Sequence, residues 1–135
     1  MNYKTLITII MLASVSLHAT QKTTGRILDA ISQLKKALLQ EELARIPVRL
    51  QMASLATLRT KLQSLETESD KDHEISYRKF DIHCCKQDLR EALPKLLLAS
   101  KETKAILQKY HDVLPIVYNE KERNAEYVAA LKELK

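Results

Sequence analysis

The chain has 135 residues, of which 45% are hydrophobic and 4% aromatic, and its formal net charge is +5 at pH 7. This length suits one small domain but not two domains with separate cores. Acidic residues are interspersed among the basic ones, whereas a nucleic-acid-binding protein concentrates basic residues on one face with aromatic groups between them. We therefore expect a solvated surface of mixed charge and no nucleic-acid partner.

The first nineteen residues, MNYKTLITIIMLASVSLHA, have the organisation of a secretory signal peptide. Lys4 supplies the positive n-region, residues 5–17 form the apolar h-region, and the small Ala19 offers a cleavage point. The run is too short and too polar for a stable membrane span, which needs about 20 apolar residues. We predict a signal peptide over residues 1–19, a domain over residues 20–135 and a secreted or periplasmic location. Cleavage after Ser16 and retention of the segment as an anchor are the alternatives.

The composition of the chain predicts an all-α fold. Gly25 is the only glycine, and the frequent residues Leu, Ala, Lys, Glu and Gln all favour helix. No Asn-Gly or Asp-Gly pair occurs to form a tight hairpin turn, and no alternating run of β-branched and aromatic residues suggests a strand. We expect a small bundle of about four helical segments, or a long kinked helical hairpin.

Two apolar stripes with helical spacing lie in the first half of the chain. Pro47 separates them and, because it cannot donate a backbone hydrogen bond, favours a first-turn or kink position. The first stripe comprises Ile27, Ile31, Leu34 and Leu38, widened by an adjoining stripe of Leu39, Leu43 and Ile46; the second comprises Val48, Met52, Leu55, Leu58, Leu62 and Leu65. The pair Glu41 and Arg45, four residues apart, is predicted to be an exposed ion pair.

The polar run of residues 66–74 predicts a boundary, with Ser69 and Asp72 as a candidate capping box. A third apolar pattern then follows one a/d heptad register to Val117. Pro94 and Pro115 lie outside the seam of this pattern, and Pro115 is predicted to end the helix. The seam is formed by Ile75, Ile82, Cys85, Leu89, Ala92, Leu96, Ala99, Ile106, Tyr110, Val113 and Val117.

The last helical segment is predicted to begin after Asn119, whose side chain can cap a helix with Glu122 three residues later. Its apolar face would contain Tyr127, Val128, Leu131 and Leu134.

Both cysteines of the chain lie in the sequence Asp81-Ile82-His83-Cys84-Cys85. Adjacent cysteines seldom form a disulfide with each other, because Cα atoms about 3.8 Å apart are closer than a disulfide prefers. Export makes an intermolecular disulfide plausible, and Cys84 is the expected linker because Cys85 lies on the apolar seam. The alternative is that both thiols fill space in the core. A zinc site is disfavoured, since no complete ligand set is present.

The sequence predicts no catalytic residue, no metal and no cofactor. A single glycine cannot build a phosphate-binding loop, and His83 next to Cys84 is not a catalytic dyad, because neighbours on a helix point in different directions. Among the tyrosines, Tyr110 and Tyr127 lie on the apolar register, while Tyr118 and Tyr77 lie off it. Tyr118 and Tyr77 are the candidate partner contacts, because tyrosine is frequent at binding hot spots.

Two classes of function fit these patterns. The first is an exported, non-enzymatic helical module, such as an envelope or periplasmic chaperone, an adaptor or an assembly subunit, that binds a protein partner through a helix face. The second is a secreted helical ligand or effector that acts on a host or cell-surface receptor. The first predicts an exposed apolar patch. The second predicts a self-contained monomer or a disulfide-linked homodimer. A coiled coil anchored by a retained N-terminal segment is a third option.

Overall fold

A computed structural model describes residues 21–68 and 70–135 of the chain. It contains four helices, which we number in chain order: α1 (Gln21–Glu66), α2 (Asp72–Lys109), α3 (Glu120–Arg123) and α4 (Ala125–Leu134). No strand occurs within these two ranges. The predicted all-α fold is therefore confirmed. The predicted signal peptide and Ser69 of the candidate capping box lie outside the described residues.

The two long helices α1 and α2 form an antiparallel hairpin joined by a short connection over residues 67–71. At the entry to this connection the backbone N–H of Glu68 donates to the carbonyl of Leu65 over 3.0 Å. Lys71 is the N-cap of α2 and provides no side-chain hydrogen bond to the helix. The first turn of α2 contains Asp72 and Glu74, whose negative charges suit the positive end of the helix dipole.

The helix α1 continues through Pro47, so this residue does not occupy the first turn of a new helix, which was one of its two predicted positions. Because proline has no backbone N–H, Pro47 cannot donate the usual helical hydrogen bond to the carbonyl of Leu43. Pro47 itself is exposed, while Arg45 and Val48 on either side of it are buried. Tertiary packing of these neighbours therefore keeps the helix intact. Pro94 lies inside α2 and is also exposed, as the heptad register predicts.

The helix α2 ends at Lys109, well before Pro115, so the predicted extension of this helix is wrong. Tyr110 is the C-cap, and the N–H of Leu114 donates to the Tyr110 carbonyl over 2.7 Å. The residue before a proline avoids the helical conformation, which restricts Leu114, and the chain has already left the helix at Tyr110. The turn packs Leu114 into the core and leaves Val117 82% exposed.

The short helix α3 begins where the sequence predicts. The Asn119 side chain accepts a hydrogen bond from the backbone N–H of Glu122 over 3.2 Å, and its amide donates to the Glu122 carboxylate over 3.1 Å. The predicted cap is confirmed. Asn124 then separates α3 from α4.

The buried apolar side chains form two clusters along the hairpin. The first apolar cluster joins the start of α1 to the end of α2 and the turn after it, and the second joins the middle of both helices to α4. The first contains Ile27, Ala30, Leu34, Leu38, Leu107, Tyr110 and Leu114, and the second contains Val48, Leu55, Leu89, Ala92, Leu93, Leu96 and Ala130. No helix within the described residues is long and apolar enough to cross a membrane.

Candidate interaction surface

Four large apolar side chains are exposed in a row on α1. Leu39 is 58% exposed, Leu43 51%, Ile46 56% and Leu50 60%. Their spacing of four, three and four residues places them on one helix face. We call this row the outer stripe. The prediction that Leu39, Leu43 and Ile46 widen the buried face is therefore wrong.

The geometry of α1 explains why this row faces solvent. Successive helical residues are rotated by about 100°, so Ile46 and Val48 point to sides about 160° apart. Val48 is 1% exposed against α2, and Ile46 projects away from the hairpin. The helix thus has two apolar faces, of which the hairpin covers one.

The opposite face of α1 contains a buried ion pair between the two apolar clusters. Glu41 is 0% exposed and Arg45 4% exposed, and Arg45 Nη2 lies 2.6 Å from Glu41 Oε1. The prediction of an exposed pair is wrong for these two residues. By contrast, the pair of Glu74 and Arg78, also four residues apart, is partly exposed, with an N–O distance of 4.0 Å.

The buried pair connects α1 to three other parts of the chain. Arg45 Nη2 donates to the Arg123 carbonyl over 2.8 Å, and Arg123 Nη1 lies 3.4 Å from Glu41 Oε1. The hydroxyl groups of Ser100 and Tyr118 donate to the same oxygen over 3.4 and 3.5 Å. We call these five residues the ionic cluster. It joins α1, α2, the segment before α3 and α3 itself.

Further ion pairs hold α4 against α1. Arg49 donates to both carboxylate oxygens of Glu126, with a shortest distance of 2.7 Å, and Arg59 pairs with Glu133. Burial opposes ionisation of Glu126, but hydrogen bonds from Arg49 and the charges of Arg49 and Arg45 outweigh it and lower the pKa of this carboxyl. The ion pairs with α1 therefore hold the C-terminal segment against the hairpin, in addition to the packing of the buried Ala130 side chain.

Both cysteines lie half-buried on α2, where they line a shallow groove with Asp81 and with Ser54 and Thr57 of α1. Cys85 packs against the second apolar cluster. Burial, followed by the negative charges of Asp88 and Asp81, raises the pKa of the Cys85 thiol. Cys84 and Cys85 form no disulfide with each other.

The two candidate contact tyrosines have different surroundings. Tyr77 is 72% exposed near the start of α2. Tyr118 is half-buried: its hydroxyl contacts Glu41, and the Arg123 guanidinium lies 5.7 Å from the centre of its ring. Burial raises the pKa of Tyr118. The structure brings Tyr118 into the ionic cluster and places Tyr77 apart from it.

Tyr110 and Tyr127 contribute to the core, as their register predicts. The Tyr110 ring is 2% exposed in the first apolar cluster, and its hydroxyl donates to Asp29. Tyr127 packs against the second apolar cluster. Within residues 21–68 and 70–135, no group of three or more His, Cys, Asp and Glu side chains could hold a metal ion.

Comparison of the chain with protein-family models, with curated proteins and with solved structures finds no match. The geometry of the outer stripe and the ionic cluster is thus the basis for a functional interpretation.

The sequence patterns predicted neither the outer stripe nor the ionic cluster, although the sequence contains a signal for each. Leu38 and Leu39 are neighbours and so differ by about 100° in direction, which indicates two faces rather than one broad face. For the ionic cluster the signal is the position of Glu41 and Arg45 on the same side as Leu34, Leu38 and Val48.

Proposed function

We propose that the chain is an exported, non-enzymatic helical module that binds a protein partner through the outer stripe of α1. Export is supported by the pattern of residues 1–19, with Lys4 before an apolar run and Ala19 at its end. Protein binding is supported by one observation above all: four large apolar side chains in helical register, each more than half exposed. Contiguous exposed apolar patches commonly mark interaction sites.

The rest of the fold suits this role. The ionic cluster and the two apolar clusters hold α1 in place from its opposite face. A rigid helix presents its side chains without a large ordering cost on binding, so more of the contact energy remains as affinity. A helix face of this kind binds another amphipathic helix or a hydrophobic groove. The exposed apolar row on a rigid helix favours an interaction module over a self-contained ligand, which needs no such patch.

Site-specific photocrosslinking in the producing cells tests this proposal. The photoreactive residue p-benzoylphenylalanine is placed at position 46 in the outer stripe, and in a control protein at position 98. Leu98 is a matched control, because it is 60% exposed on α2. We expect crosslinks to a polypeptide from position 46 and few or none from position 98. Equal yields from the two positions, or no crosslink from position 46, would contradict the proposal.

A further inference from the structure

We propose that the polypeptide that covers the outer stripe is a second copy of this chain, bound antiparallel through α1. This inference rests on the proposed function, since it names the partner of the same face. Three observations support it: the spacing of the stripe, the charges along its edge, and the contacts between apolar residues of the two copies that a two-fold axis would produce.

The spacing of the outer stripe is that of a coiled-coil seam. In heptad notation Leu39 and Ile46 occupy d positions, and Leu43 and Leu50 occupy a positions. A two-fold axis perpendicular to α1 between residues 44 and 45 places Leu39 of one copy beside Leu50 of the other. The same axis places Leu43 of one copy beside Ile46 of the other. Every large apolar residue of the stripe then meets another large apolar residue.

The edge of the stripe is complementary to itself in this orientation. Glu42 and Arg49 occupy g positions along one edge, with exposed side-chain fractions of 40% and 52%. In the antiparallel register Glu42 of each copy lies opposite Arg49 of the other, which gives two equivalent contacts of opposite charge. These groups already attract each other along one chain, where Arg49 Nη1 lies 3.4 Å from Glu42 Oε2. The second copy would extend this network.

A parallel arrangement lacks this match. It would place Glu42 beside Pro47, and Arg49 beside Ser54, with no pairing of opposite charges. A membrane surface is also a poorer occupant, because amphipathic helices that bind anionic membranes have a predominantly basic polar face, whereas the edge here contains Glu42.

The ends of the stripe limit the contact to a short segment. Continuing the antiparallel register places Lys36 beside Ala53, and Ser32 beside Thr57, both combinations of small or polar residues. The apolar seam therefore runs from residue 39 to residue 50, about 16 Å at 1.5 Å per residue. We expect a reversible dimer whose population depends on protein concentration.

Sedimentation velocity tests the dimer, with processed protein produced from the full chain and kept in reductant so that no disulfide contributes. We expect a monomer at low micromolar concentration and a dimer at submillimolar concentration. Leu43→Glu should abolish the dimer, and Leu98→Glu should leave it unchanged, with circular dichroism showing that both variants are folded. A wild-type monomer throughout, or a dimer that persists in folded Leu43→Glu, would overturn the proposal.

Disulfide trapping tests the orientation in a Cys84→Ser/Cys85→Ser background. In the antiparallel dimer the two copies of residue 50 lie about 16 Å apart along the seam, so Leu50→Cys alone should form no disulfide. An equimolar mixture of Leu39→Cys and Leu50→Cys should form a heterodimeric disulfide. A disulfide dimer from Leu50→Cys alone, or none from the mixture, would overturn the antiparallel arrangement.

The photocrosslinking experiment separates failure of this inference from failure of the proposed function. An adduct from position 46 with the mass of two copies of the chain agrees with the dimer. An adduct with a different polypeptide, together with a purified protein that stays monomeric, would overturn the dimer but retain an interaction module. Absence of any adduct would contradict both.

Discussion

Glu41 and Arg45 lie one turn apart on α1 and are both buried, with Arg45 Nη2 2.6 Å from Glu41 Oε1. Glu41 also contacts Arg123, and Arg45 donates to the Arg123 carbonyl. These two residues of α1 therefore position the C-terminal segment, which contains Arg123, against the hairpin. Within the described part of the chain, Oε2 of Glu41 has no hydrogen-bond partner, so the polar contacts of this buried side chain are those of Oε1.

Removal of one member of the buried pair should destabilise the fold strongly. Arg45→Met removes the guanidinium that lies closest to Glu41 and leaves the Glu41 carboxylate buried. We therefore expect the free energy of unfolding to fall by about 3–5 kcal/mol. Urea denaturation followed by circular dichroism measures this change. Glu74→Gln, which removes one member of the partly exposed pair with Arg78, is the control and should change stability by less than about 1 kcal/mol. Equal effects of the two substitutions would contradict a dominant role for the ionic cluster.

The stability of the fold should decrease in acid because of Glu126. Its pKa is lowered in the folded protein from an ordinary value of 4.5. The ionised carboxylate therefore contributes stability above that value, and this contribution is lost as the pH falls through the lowered folded-state pKa. We expect Glu126→Gln to reduce the free energy of unfolding at pH 7 and to flatten its decline below about pH 4.5. Thermal unfolding across this pH range measures the effect. Glu102→Gln on the exposed face of α2 should leave the decline unchanged, and a Glu126→Gln profile parallel to wild type would contradict the prediction.

The second apolar cluster should be more sensitive to truncation than the exposed face of α2. Leu89 is 0% exposed, and Leu89→Ala should lower the free energy of unfolding by about 2–5 kcal/mol through lost contacts and a residual cavity. Leu98→Ala, at a residue 60% exposed, should change it by no more than about 0.5 kcal/mol. Urea titration of both variants measures the difference, and a tolerated Leu89→Ala would be inconsistent with this core.

Export predicts a processed N-terminus. Protein recovered outside the cytoplasm of the producing cells should begin at Thr20, or at Leu17 if cleavage follows Ser16. N-terminal sequencing or intact mass measurement determines the first residue. Recovery of the chain in membranes with Met1 or Asn2 at its start would instead indicate a retained anchor.

The two thiols should differ in reactivity. Because burial and nearby carboxylates raise the pKa of Cys85, we expect iodoacetamide to modify Cys85 more slowly than Cys84. Peptide mass spectrometry after timed alkylation measures both rates, and faster modification of Cys85 would reverse this assignment.

The interchain disulfide through Cys84 stays a prediction of the sequence. On a non-reducing gel of exported protein, a reductant-sensitive dimer should vanish in Cys84→Ser and persist in Cys85→Ser. A monomer unaffected by reductant would exclude the linkage in that sample.

The amino-acid sequence by itself determined the helical class and much of the core. The scarcity of glycine and the stripes containing Leu34, Val48 and Leu89 predicted helices and their buried faces, because side-chain periodicity reflects local backbone geometry. The Asn119 cap was equally local, since it needs only a side chain and a backbone N–H three residues later.

Only the tertiary structure decided which face of α1 is covered and which charges are buried. Periodicity shows that Leu39, Leu43 and Ile46 share a face, but burial depends on where α2 and α4 pack, and those helices are distant in sequence. For the same reason Glu41 and Arg45 match the pattern of an exposed helical pair and are nevertheless buried. Their environment is set by Arg123 and Tyr118, more than 70 residues further along the chain.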